Sequence, residues 1–175
     1  MNETLSTIFA RKSIRRYQDR PIAEADIRTI LEAGMAGPTC VNARDWSFLV
    51  VTDREVLNAM ADANGRPAQP LRTAPLAILI CGDMGRAFPP AKDYAVIDTS
   101  IAAENMILAA QSLGIGSVWL GTWPQMDRVK NQAALFGLPE DIVPHSVIAF
   151  GYPAEDPDKS AKPRYEEDRV HFNRW

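Results

Sequence analysis

Four cations and a hydroxyl fall within seven residues, Arg11-Lys12-Ser13-Ile14-Arg15-Arg16-Tyr17, of a chain whose formal net charge is -3. Guanidinium and ammonium donors make charge-assisted hydrogen bonds to phosphate oxygens, and a serine hydroxyl adds a donor without adding charge. The stretch reads either as a site for one small anion or as a solvated basic helix end. Two further stretches offer polar, neutral groups: the loop Pro38-Thr39-Cys40-Val41-Asn42 and the turn Gly121-Thr122-Trp123-Pro124. Taken together they suit a large, flat, phosphorylated ligand. The cations would take its phosphate, Asn42 a hydrogen-bonding ring edge, and the turn would present backbone N–H groups.

Self-contained chemistries lack their parts. Gly114-x-Gly116 has Trp119 where a dinucleotide fingerprint needs its third glycine, and it precedes a strand rather than a helix. No GxxxxGK[ST] phosphate loop occurs. The histidines are His145 and His171, and His145, which follows Pro144 at the mouth of an apolar strand, reads as a structural or surface residue rather than a base. A Ser-His-Asp triad or a hydrolytic zinc is therefore not expected. Cys40 has no nearby histidine to activate it. Cys40 and Cys81 form no CxxC pair, so neither a disulfide framework nor a metal site is expected and a reducing cytoplasm is the default. A chain with no nucleophile or metal can still catalyse if a cofactor carries the hard chemistry.

The elements that must position these residues follow from periodicity. Leu5, Ile8 and Phe9 predict a short amphipathic helix over 4–10 that delivers the basic stretch to its C-terminal end, where the helix dipole also favours cations. Glu24 and Asp26 open a second helix, with Ile27, Ile30, Leu31 and Met35 as its buried stripe and Gly34 or Gly37 at its end. Strands are expected over 46–52, 76–81, 117–121 and 143–150, the second as a central strand covered on both faces. Helices are expected over 54–63, 93–113 and 126–136. The 93–113 helix is apolar almost all round, which demands burial in the domain or at a subunit contact. The alternation implies a layered α/β or α+β architecture with a mixed sheet flanked by helices, its strand order left open.

At 175 residues, 46% of them hydrophobic, the chain suits one domain spanning 1–175, with 152–175 as a C-terminal arm ending in His171, Phe172 and Trp175. A pI near 5.4 argues against nucleic acid as partner. No apolar run approaches the roughly 20 residues of a membrane span, and the acidic, polar N-terminus does not look like a signal peptide.

In order and spacing, three motifs make the chain resemble the nitroreductase family over roughly 8–175. Arg11-Lys12-Ser13-Ile14-Arg15 is similar to the family's opening R-[RH]-S-x-[RK]. Ala36-Gly37-Pro38-Thr39-Cys40-Val41-Asn42 followed by Trp46 is similar to its A-P-S-x-x-N-x-Q-P-W loop. Asp98 through Asn105 to Gly116, continuing to Gly121, is similar to its long interface helix and the strand after it. The resemblance implies an α+β nitroreductase-like fold, with a central mixed or antiparallel sheet flanked by helices, in an intertwined homodimer holding FMN at the subunit interface.

By that resemblance Arg11, Lys12 and Ser13 hold the phosphate and ribityl chain, joined by Lys162 and Arg164 from the tail. Arg15 stands by the pyrimidine edge as an electrostatic stabiliser. Pro38, Thr39, Cys40 and Asn42 cover the ring from the partner subunit, and the backbone at Gly121 and Thr122 faces the redox-active edge. No catalytic side chain is then required: NAD(P)H and a small electron acceptor, such as a nitroaromatic or quinone, use one ring face in ping-pong order. The alternatives are a flavin storage or sensing module, or a specialised chemistry of the family such as enone reduction, dehalogenation or flavin degradation. Two departures stand out. Arg44-Asp45 replaces the usual Gln-Pro, and 84–92 is short where larger relatives carry a helical excursion. Phe88, Tyr94 and Trp123 are candidate pocket residues.

Overall fold

The computed structural model describes residues 2–155 and 164–175. Helices α1 (Glu3–Ala10) and α2 (Glu24–Met35) precede strand β1 (Trp46–Val51) and helix α3 (Arg54–Asn64). Strand β2 (Leu76–Asp83), helix α4 (Tyr94–Ser112), strand β3 (Gly116–Gly121), helix α5 (Met126–Phe136) and strand β4 (Ile142–Gly151) follow. The sheet order is β1-β2-β4-β3, every neighbouring pair antiparallel. The mixed character anticipated from sequence is confined to one parallel bridge, Ser13 to Ser117.

β2 shows why the sheet lies between helices. Leu76, Ile78 and Ile80 point to one face, where they meet Ile30 of α2 and Ala103, Met106 and Ala110 of α4. Ala77, Leu79 and Cys81 point to the other, against Leu57 and Met60 of α3. Burying each large aliphatic side chain contributes about 1.5–3 kcal/mol, so a strand apolar on both sides is stable only when covered on both. α2 and α4 approach closely because position 34 lacks a side chain: a Cβ there would come within 2.6 Å of Met106 Cε. Gly34 is thus an interior packing residue rather than the helix end, and α2 runs on to Met35. The helix ends two residues before Gly37.

Two expected core faces are open. Met35 is 46% exposed instead of completing the α2 stripe. α1 buries none of its residues, and Phe9 is 58% exposed. On α4 the inward side carries Ala95, Asp98, Thr99, Ala102, Ala103, Met106, Ile107 and Ala110, whereas Tyr94 and Ile97 face outward. No helix among the described residues is long and apolar enough to cross a membrane.

Candidate functional site

The basic stretch leaves α1 and lies along the edge strand β3. Ile14 N–H donates to Ser117 O at 2.8 Å, beside the Ser13–Ser117 bridge. Close contact is possible because residue 116 is glycine: a Cβ would sit 2.8 Å from Cβ of Ile14. Tyr17 pins the far end, its hydroxyl donating to Ile14 O at 2.6 Å, and its burial pushes the phenol's pKa up, so it stays neutral. Arg11 and Lys12 are half-buried while Ser13 and Arg15 are exposed. Neither Arg11 nor Arg15 has a carboxylate within salt-bridge distance among the described residues. A cavity of about 310 Å³ opens beside Lys12, Ile14 and Gly116.

Gly121 and Thr122 close the opposite end of the same strand. The Gly121 carbonyl accepts from Arg128 Nη1 at 2.8 Å and from Asn64 Nδ2 at 3.3 Å, while the Thr122 hydroxyl donates to Asn64 Oδ1 at 2.9 Å. Asn64 and Thr122 are fully buried. These bonds fix the peptide plane, and in a trans peptide the Thr122 N–H then faces away from the donors that hold the carbonyl. β3 therefore carries cations at its start and a fixed amide at its end, some five residues or about 17 Å apart. Such a donor set fits an elongated ligand with a phosphate at one end and a hydrogen-bonding heterocycle at the other, as FMN is.

The Pro38–Asn42 loop lies elsewhere. It precedes β1, and β1 and β3 are opposite edges of the sheet, three strand spacings or about 14 Å apart. One copy of the chain does not bring this loop to Arg11–Arg15. The loop is a tight turn with non-glycine residues in left-handed conformations: φ is +46° at Val41, +59° at Asn42 and +52° at Arg44. For a β-branched residue such as Val41 this is unusual, and it persists only where surroundings over-determine it. Here Cys40 N–H donates to Asp98 Oδ2 at 2.9 Å and Arg44 N–H to Thr39 Oγ1 at 3.0 Å. Burial, with Asp98 and Asp45 nearby, raises the Cys40 thiol, so it is no activated nucleophile. Cys40 and Cys81 are both free. Arg164 is exposed; Lys162 lies outside the described residues.

His145 has an environment its sequence did not reveal. Between β2 and β4 the register steps from Ile80–Ser146 to Cys81–Pro144, which leaves His145 as the extra residue of a bulge. Ser100 Oγ donates to Val96 O at 2.6 Å, so it accepts from His145 Nε2–H, while Ser146 donates to Nδ1, both at 3.2 Å. Burial lowers the imidazole to about 4, so it stays neutral. It floors a cavity of about 250 Å³ lined also by Met84, Val96, Trp123 and Met126. Of the three candidate pocket aromatics, Trp123 lines this cavity and Phe88 and Tyr94 do not. Sequence reasoning missed Asn64, just past the helix expected over 54–63, and Arg128; an asparagine at a helix end beside Gly65 was the available signal.

The model of the Nitroreductase family matches residues 8–74 and 63–152, and the chain belongs to that family. A protein of Archaeoglobus fulgidus, provisionally named NADH dehydrogenase/NAD(P)H nitroreductase, is 44% identical over 176 residues, covering 100% of both chains. The solved FMN-dependent nitroreductase of Clostridium difficile R20291 is 29% identical, with a TM-score of 0.89 over 98% of this chain and 99% of that one. The NADPH:FMN oxidoreductase of Vibrio harveyi, complexed with NAD+, is 29% identical with a TM-score of 0.87, covering 99% of this chain and 78% of that one.

Proposed function

We propose that the chain is an FMN-dependent oxidoreductase that passes reducing equivalents from NAD(P)H to a small electron acceptor, a nitroaromatic, quinone or similar compound, in ping-pong order. The observation that carries this is the layout of β3, with the cationic segment docked at its start and the fixed Gly121–Thr122 peptide at its end. Bound FMN supplies the electron-transfer chemistry that the side chains lack. Arg11, Lys12 and Ser13 bind its phosphate and ribityl chain, with Lys162 and Arg164 of the tail. Arg15 places a cation by the pyrimidine edge and favours the negative charge that reduction builds there. The Thr122 amide meets the redox-active edge.

Pro38, Thr39, Cys40 and Asn42 cover the ring from a second copy, a homodimer supported by the distance across the sheet and by the open apolar faces of α1 and α4. Residues 1–175 then form one flavin-binding domain with 152–175 as the arm. Two unpaired cysteines favour the cytoplasm. Anaerobic titration of the FMN-loaded protein with NADH and NADPH tests the reading. Expected are bleaching of the flavin absorption by at least one nicotinamide and its return on adding menadione or nitrofurazone. A yellow protein that neither nicotinamide bleaches is a storage or sensing module instead.

A further inference from the structure

Along β3 every residue is buried except Trp119, which is 36% exposed, and Gly121, which is half-buried. Strand alternation accounts for the contrast. Val118 and Leu120 point into the core on the α3 side of the sheet, whereas Trp119 stands opposite Ile148 of β4, on the α4 side. β3 is an edge strand, so no further strand covers the indole from outside. The ring is nonetheless packed on one side: it meets the His145 imidazole edge to face, with centroids 5.6 Å apart and planes at 79°. His145 is in turn held by Ser100 and Ser146.

Partial exposure is common for tryptophan, and position singles this one out. The cationic segment docks at Ser117, two residues before Trp119, and the fixed Gly121–Thr122 peptide begins two residues after it. Ser117, Trp119 and Gly121 alternate onto one face of the strand. A ligand stretched along β3 between these ends passes the indole midway, and Trp119 is the one exposed side chain of the strand that it meets. A flat heteroaromatic ring lying there gains apolar burial and offset stacking together.

We propose that Trp119 is a binding residue for the flavin ring: its indole lies against one face of the isoalloxazine and closes that face to both NAD(P)H and acceptor. The inference rests on the reading that the β3 layout holds FMN. The contact is non-covalent, and neither electron nor proton is routed through the indole. The opposite face is left to nicotinamide and acceptor in turn, as ping-pong order needs.

The test measures FMN dissociation constants, the emission of bound flavin and light scattering for wild type, Trp119→Leu, Trp119→Phe and Trp123→Leu. Trp119→Leu should weaken FMN binding about tenfold and Trp119→Phe, which keeps a ring, about threefold or less, both with the oligomeric state of wild type. An indole in contact with a flavin quenches its emission. Flavin bound to Trp119→Leu or Trp119→Phe should therefore be brighter than in wild type, and flavin bound to Trp123→Leu should not. Equal affinity and equal emission in wild type and Trp119→Leu overturn the proposal. So does a loss of affinity that accompanies a change of oligomeric state, which would assign the indole to a subunit contact. If Trp119→Leu does not fold, Trp119→Phe decides: brighter flavin at near wild-type affinity supports the contact, and unchanged emission overturns it. A wild type that takes up no FMN overturns the cofactor reading itself, and the proposal falls with it.

Discussion

Arg11 has no carboxylate partner among the described residues, so removing it leaves no stranded anion, and the cost falls on the ligand. A charged hydrogen bond contributes about 1.5–3 kcal/mol, so Arg11→Ala should weaken FMN binding roughly tenfold to a hundredfold, read by fluorescence titration. Undiminished affinity would place the phosphate elsewhere. His145 governs stability rather than binding. Its folded pKa, about 4, lies below the ordinary 6.5, so between those values the unfolded chain binds more protons and stability drains away as pH falls. Asp45 has the opposite sign: its folded value, about 6, lies above the ordinary 3.8, so its contribution is full below that value and is lost as pH rises through 6. Between about pH 4 and 6 the two slopes oppose each other, which hides both in the wild type. Urea titrations of His145→Gln should expose them, with the variant gaining about 2 kcal/mol relative to wild type from pH 7 to 4.5. A constant difference across that range would contradict the assigned burial.

At the scale of elements, β3 is the axis of the site, and its two ends are held by different neighbours. The start accepts the basic segment only because residue 116 has no side chain, while the end is clamped by α3 and α5 through Asn64 and Arg128. Gly116→Val would drive a side chain into Ile14. Overpacking of this kind costs about 1–3 kcal/mol and should lift the Arg11–Arg15 segment from the sheet, lowering the melting temperature and the FMN affinity together. A variant that melts earlier yet binds FMN normally would show that the segment does not need β3 to hold phosphate. The bulge in β4 works at the same scale. It turns His145 and Ser146 into hydrogen-bonded neighbours and sets Trp123, whose N–H donates to His145 O at 2.8 Å, over the cavity.

At the scale of the molecule, the chain leaves Leu5, Ile8 and Phe9 of α1 and Tyr94 and Ile97 of α4 in solvent. A second copy would cover them and would carry its Pro38–Asn42 loop to the flavin. Ile97→Glu tests this. At 52% exposure the substitution should change the stability of the isolated chain by less than about 0.5 kcal/mol, yet light scattering should find a monomer with sharply weakened FMN binding. A stable dimer would remove α4 from the contact.

Read alone, the sequence determined the elements and their chemistry. Every α-helix and strand was legible, because apolar residues at period 3.6 or 2 and the glycines and prolines between them are local signals, whereas the 3-10 helix Arg66–Arg72 was not. The cationic stretch and the polar loop were legible too, since charge and hydrogen-bonding capacity are properties of residue type. Only the tertiary structure decided that β1 and β3 are opposite edges, that Met35 and α1 face outward, that Asn64 reaches Gly121, and that Asp45 is fully buried. These depend on which distant segments meet, and an aspartate in a loop reads as solvated until the fold buries it.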